Sequence, residues 1–277
     1  MSRSELVLKA FLSRSPPEKR RALERFLPEH ERLLLAKLPV ITEPSSGFPK
    51  EEMLENVHWS WFLPTLKSYS TREQRLFLSA LSPLAAEQLS QALSLRGPLE
   101  EISSPAQIYL RKQLFHSLVG PHERLLPIDY LPASPLNRLL SLTKKELTRL
   151  IDRLSLYDLA VEMRQIVETK ILKKIYSFLT EEQKSALKKM AAPKATTGFP
   201  RLGLDRWDGK EESLKILLHR RGLARLGLAL SGQDPDLIWL LCHQLDIGRG
   251  GQLLKLCAKE ATPKVTDAII RQIKDLL

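Results

Sequence analysis

Cysteine is scarce in this chain: Cys242 and Cys257 are the only two in 277 residues. They lie 15 residues apart in a Leu-rich context. A disulfide scaffold or a zinc site needs more ligands at tighter spacing. Both are expected as buried, reduced thiols, which fits the cytoplasm. Aromatic residues make up only 6% of the chain. No apolar run reaches the roughly 18 residues that a membrane-spanning helix needs. The opening Met1-Ser2-Arg3-Ser4-Glu5-Leu6 carries an acid early and has neither a long apolar core nor a small-residue cleavage site, so no signal peptide is expected. Strand-like alternation is missing, and no Asn-Gly or Asp-Gly turn joins β-branched runs.

Signatures of chemistry are missing as well. Gly248-Arg249-Gly250-Gly251 lacks the Lys-Ser/Thr ending and the preceding strand of a phosphate-binding loop. It reads as an inter-helix turn, with a phosphate perch as the sharper alternative. None of the six histidines pairs at the four-residue spacing of two helical metal ligands. Cys242-His243 with Cys257 is the nearest thing to a ligand cluster, yet adjacent helical residues point about 100° apart. No serine sits in a nucleophile-elbow context. The acid pairs Glu51-Glu52 and Glu211-Glu212 stand at helix starts, where the macrodipole favours them. Neither a catalytic residue, nor a cofactor, nor a metal is therefore expected.

What the chain does have is helix punctuation. Ser15-Pro16-Pro17-Glu18, Ser104-Pro105-Ala106-Gln107, Thr143-Lys144-Lys145-Glu146 and Thr180-Glu181-Glu182-Gln183 read as capping boxes. Ser82-Pro83, Ser134-Pro135, Asp234-Pro235 and Thr262-Pro263 read as simpler starts. Between them apolar residues recur at three and four, as in Leu139, Leu142, Leu147, Leu150 and Ile151, then Leu154, Leu159, Met163, Ile166 and Val167. The pattern predicts an all-α chain of many short helices. Helices of about 10–15 residues are marginal alone in water, so each must bury a Leu stripe on its neighbours.

The chain also echoes itself. Phe26-Leu27-Pro28-Glu29 and its helical continuation return as Phe178-Leu179-Thr180-Glu181, 152 residues later. Gly47-Phe48-Pro49-Lys50 returns as Gly198-Phe199-Pro200-Arg201 at an offset of 151, and Arg75-Leu76-Phe77-Leu78 as Arg225-Leu226-Gly227-Leu228 at 150. Three echoes in one order at nearly one offset predict a divergent duplication. The proline-broken stretch 125–135 is the candidate boundary, giving halves at 1–130 and 136–277. Within the second half, 193–209 reads as an extended loop whose counterpart is 39–49.

The formal net charge is +11. Residues 140–277 hold 25 Lys/Arg against 17 Asp/Glu, a surplus of eight. Such a surplus meets nucleic acid, anionic lipid or an acidic protein, or simply solvates helix faces. Two surfaces stand out. His219-Arg220-Arg221-Gly222-Leu223-Ala224-Arg225 places a basic face opposite a Leu stripe, fit for an acidic partner or for solvent. Val57-His58-Trp59-Ser60-Trp61-Phe62-Leu63 is the densest aromatic cluster, fit for a core or for an interface.

Residues 70–93 and 139–190 resemble the flagellar motor switch protein FliG family. There a short polar motif, Glu-His-Pro-Gln, opens a helix that runs into an apolar stretch and a second helix. Here Thr71-Arg72-Glu73-Gln74 stands in that place, ahead of Leu76, Leu78 and Leu81, and only Gln74 matches residue for residue. The rhythm returns in Leu142-Thr143-Lys144-Lys145-Glu146-Leu147, then Tyr157-Asp158-Leu159-Ala160, then Phe178-Leu179-Thr180. Length, duplication and basic charge are also similar to those of the sorting-platform proteins of type III secretion. The resemblance implies an armadillo-like helix stack and a non-enzymatic cytoplasmic adaptor, held at the inner membrane through its partners. It would dock a membrane-ring protein on one face and a cytoplasmic ring or pod protein on another. The residues expected to meet partners are Thr71, Glu73, Gln74, Arg75, Arg220, Arg221 and Arg225. A nucleic-acid-binding helical repeat, using the basic second half, is the alternative.

Overall fold

Leu stripes at helical spacing fold most of the described residues into helices. The computed structural model describes residues 3–38, 50–119, 125, 128, 131–190, 199–259 and 262–277, and among these there is no strand. The chain divides into two compact units, Met1–Ser134 and Pro135–Leu277.

The first unit opens with α1 (Arg3–Arg14), α2 (Pro17–Arg25) and α3 (Glu29–Lys37). Leu12, Leu35 and Leu38 form a small buried cluster against Leu8, Leu23 and Leu27. The Lys9 ammonium donates to the Leu35 and Leu38 carbonyls, so a cation satisfies acceptors left open at the end of α3. Two 3-10 helices follow, Lys50–Asn56 and Trp59–Phe62, then α4 (Leu63–Lys67), α5 (Thr71–Ser79), α6 (Pro83–Ala92) and α7 (Ser104–Val119). Phe62, Leu66, Leu78, Leu89 and Leu114 are fully buried among these elements. The aromatic cluster is thus largely core: Val57 and Phe62 are buried, and Trp59 and Trp61 are half-buried.

The second unit begins with a 3-10 helix over Pro135–Ser141, then α8 (Lys144–Met163), α9 (Thr169–Phe178), α10 (Glu181–Met190) and a 3-10 turn at Leu204–Arg206. It ends with α11 (Glu211–Leu230), α12 (Pro235–Gln244), α13 (Ile247–Cys257) and α14 (Pro263–Leu276). α11 is the central helix and packs on α8, α13 and α14. Two glycines allow this. A Cβ at Gly222 would lie 1.9 Å from the Ile151 carbonyl oxygen of α8, and one at Gly227 would lie 2.5 Å from Leu256 Cβ of α13. Leu147, Ile151 and Leu154 of α8 and Leu223, Leu226 and Leu230 of α11 are fully buried. Each such side chain contributes about 1.5–3 kcal/mol of transfer free energy.

Helix starts follow local chemistry where a reciprocal pair exists. Thr143 Oγ1 accepts from the Glu146 N–H at 3.3 Å, and Glu146 accepts from the Thr143 N–H at 2.7 Å. Thr180 and Gln183 make the same exchange at 3.2 and 2.9 Å. Asp234 caps α12 by accepting from the Asp236 N–H. Three expected starts are corrected. The Ser15 hydroxyl donates back to the Phe11 carbonyl, and Pro16 holds the cap position of α2. Ser104 is the first residue of α7 rather than its cap. Ser134-Pro135 opens a 3-10 helix instead of an α-helix. Ser82 and Thr262 hold cap positions without a side-chain bond, because a proline at the first helical position already sets the extended entry. The stripe expected to reach Val167 stops earlier: α8 ends at Met163, and Val167 is 93% exposed.

Helix starts also repeat at one spacing. α2 and α9 begin at 17 and 169, α3 and α10 at 29 and 181, α6 and α12 at 83 and 235, each pair 152 residues apart. Where the first unit has α4 and α5 as separate short helices, the second has the single helix α11. The expected loop of 193–209 is partly described: residues 199–210 are non-helical apart from the 3-10 turn. Residues 191–198 and the counterpart 39–49 lie outside the described residues.

Candidate functional site

Two guanidiniums four residues apart on α11 face two carboxylates four apart on α8. Arg225 donates through both Nε and a terminal nitrogen to Asp158, at 2.9 and 2.7 Å, and through the other to Gln272 Oε1 of α14 at 2.5 Å. Its guanidinium lies over the rings of Tyr157 and Phe199, with 5.5 and 5.3 Å to their centroids. Burial pushes the Tyr157 phenol above its ordinary pKa. Arg221 sits 3.7 Å from Asp158, donates to the Pro200 carbonyl at 2.8 Å and also covers Phe199. Glu162 is 3% exposed, accepts from the Leu202 N–H at 3.3 Å and pairs with Arg201. Together these groups pin the 199–202 strap to α8 and α11. This corrects the expectation of a basic surface: Arg225 is 2% exposed and internal, and most of Arg221's capacity is spent on the same network.

Arg220 is different. It is exposed, and among the described residues it makes no ion pair or hydrogen bond. With Ile216, one turn earlier and 51% exposed, it forms a ridge between two grooves. One groove, of about 550 Å³, holds, apart from Arg220, charges that are mutually paired. His219 Nδ1 lies 2.7 Å from Asp152 Oδ1, and Lys215 lies 2.7 Å from Glu211. A proton relay from this imidazole would need a hydroxyl or thiol against Nε2. Among the described residues none lies within hydrogen-bond distance; the His219–Asp152 contact ties α8 to α11.

The other groove, of about 680 Å³, has an apolar floor and a basic rim. Leu217, Ala224 and Leu228 form one row along α11, with Phe199 and Leu256 beside it. Arg220, Arg221 and Lys259 also line it, and no Asp or Glu is among the described lining residues. Lys259 is exposed, and its ammonium has no partner among the described residues.

The first unit's expected residues are mostly engaged internally. Glu73 closes a capping box with Ser70, accepting from its N–H at 2.8 Å and from its hydroxyl at 2.7 Å, bonds that hold its carboxyl below the usual pKa. Gln74 Nε2 donates to the Leu66 and Tyr69 carbonyls, both at 3.0 Å, closing the end of α4. Arg75 donates to the Arg96 carbonyl. Only Thr71, at the exposed start of α5, is without such a tie. The described lining of the basic groove belongs to the second unit.

The glycine-rich run is corrected too. Gly248-Arg249-Gly250-Gly251 is the first turn of α13, not a loop. Asp246 caps it, accepting from the Arg249 N–H at 3.0 Å and from the Arg249 side chain. That carboxylate occupies the helix end that a phosphate would need. Cys242 is buried and Cys257 half-buried, both free. A hydrogen bond with Cys257, added to burial, drives the Cys242 thiol far above its ordinary pKa. Among the described residues no group of His, Cys, Asp and Glu is placed to hold a metal.

Ile216, Lys259 and the Asp158–Glu162 pair were not singled out as functional from sequence. The pair leaves a readable trace, since acids four apart on one helix match arginines four apart on another. Lys259 leaves none, because only the packing of α13 on α11 carries it to the rim. No family model, characterised protein or solved structure matches this chain.

Proposed function

We propose that this protein is a non-enzymatic helical adaptor that docks protein partners, with the basic-rimmed apolar groove on α11 as one docking face. The groove carries the reading: the cations Arg220 and Lys259 and an apolar floor line one concave surface, with no carboxylate among its described lining residues. Such a surface gains from burying apolar area and steers partners of opposite charge. The setting comes from the FliG-like and sorting-platform resemblance, which implies a cytoplasmic component of a secretion or flagellar-switch-like machine. Among the described residues no helix is long and apolar enough to cross a membrane, so attachment to a membrane ring would run through partners. The helix starts that repeat at 152 residues support two halves descended from one ancestral unit.

The basic surplus of residues 140–277 favours a second reading, a nucleic-acid-binding protein. Two observations weigh against it at this site. Arg221 and Arg225 are engaged by Asp158, and the groove floor offers Leu and Ala where a phosphate track would need donors. Capture from native lysate, with nuclease, at low and high salt, separates the two. The adaptor retains protein partners after nuclease. The alternative retains nucleic acid alone and loses it steeply with salt, because phosphate contacts release counterions.

A further inference from the structure

The geometry points to an amphipathic helix bearing acidic residues about three turns apart as the occupant of the α11 groove, an inference that rests on the adaptor reading. The floor residues run along one helix face from Leu217 through Ala224 to Leu228, eleven positions on, or about 16 Å at 1.5 Å per residue. That length takes about three turns of an incoming helix. Ala224 is the low point of the row, and a row with a small residue at its middle is a groove for the side-chain ridge of another helix. Cations stand at both ends. Arg220 lies beside the Leu217 end. Lys259 lies at the other end, where the Ser231 hydroxyl donates to its backbone carbonyl at 2.9 Å. Arg220 and Ser231 are eleven residues apart on the same chain axis, again about 16 Å. Two carboxylates on the partner, ten or eleven positions apart and flanking an apolar stripe, would meet both cations at once. The described lining, which holds no acid, also disfavours a basic partner, since Arg220 and Lys259 would oppose it. A flat anionic bilayer does not enter a concave groove as an added helix does, and the apolar floor gives nucleic acid nothing to bond.

The test is a displayed library of 15-residue helical peptides selected against the full chain. The expected pool is enriched in Asp or Glu ten or eleven positions apart, flanking Leu, Ile or Met. A synthetic winner should lose at least tenfold in affinity to Arg220→Glu/Lys259→Glu, measured by fluorescence anisotropy. Its Lys-for-Glu version should bind that double variant better than the wild type. Ala224→Trp should block the groove, and circular dichroism checks that each variant is folded. Both charge reversals are at exposed positions, so the double variant keeps the test valid if Ala224→Trp misfolds. Three results would overturn the proposal: no binder, an acid-poor pool, or affinity indifferent to the double variant. It would fall equally if phosphatidylglycerol vesicles or duplex DNA, and not the peptides, proved to be what the double variant releases. The two levels of the reading fail separately. A lysate partner set unchanged by the double variant sinks the groove and leaves the adaptor; a wild-type chain that captures no protein sinks the adaptor itself.

Discussion

Asp158 accepts from Arg225 through both carboxylate oxygens and lies 3.7 Å from Arg221. Removing one partner of such a buried pair leaves the other charge without compensation, at a cost of about 3–5 kcal/mol. Arg225→Ala should therefore lower the urea midpoint of the full chain strongly. Arg220→Ala, at an exposed and unpaired position, should leave it nearly unchanged. From sequence the two arginines look alike, because both belong to one basic helix face. What separates them is the position of Asp158 on another helix, a tertiary fact that no local pattern carries. His243 gives the pH counterpart. It is buried against Trp239, with ring centroids 3.8 Å apart, and burial lowers its pKa from 6.5 to about 4. The unfolded chain then binds the proton more readily than the folded one between those values. Stability is fully present above about pH 6.5 and declines as pH falls toward 4, by about 3 kcal/mol in all. Urea midpoints between pH 5 and 7 should show this slope, and His243→Phe, which keeps the stacked ring, should flatten it.

At the scale of elements, the capping pairs divide into bonded and unbonded. Thr143 exchanges two bonds with Glu146, so Thr143→Ala should cost about 1 kcal/mol. Ser15 makes no cap, and Ser15→Ala should cost far less. Thermal unfolding of the two variants side by side checks the pair. These boxes were legible because a cap is decided within four residues. The all-helical fold was legible for a related reason, since a Leu stripe at three and four needs no distant partner to be recognised. The same locality explains the errors. Gly248-Arg249-Gly250-Gly251 reads as a turn by composition, yet Asp246 caps it and Gly250 packs inside the unit, so tertiary context overrides propensity. The Ser70–Glu73 box is not among the starts read from the sequence, although its Ser and Glu stand at capping-box spacing.

At the scale of the molecule, contacts concentrate within Met1–Ser134 and Pro135–Leu277. Residues 135–277 alone should fold cooperatively, as seen by a single sigmoidal urea transition with native-like helix content. If the halves share an ancestor, separately determined structures of the two units should superpose α2, α3 and α6 on α9, α10 and α12. Unrelated paths through these helices would end the duplication. The groove itself was half legible: the basic run on α11 was visible, but its apolar floor and Lys259 arise from packing. The most direct test of the docking claim is photo-crosslinking in the native cell from a benzophenone side chain at Ile216, the exposed ridge residue. A docking face predicts discrete protein adducts that disappear with Arg220→Glu/Lys259→Glu. Adducts to nucleic acid alone, or protein adducts indifferent to that double substitution, would contradict it.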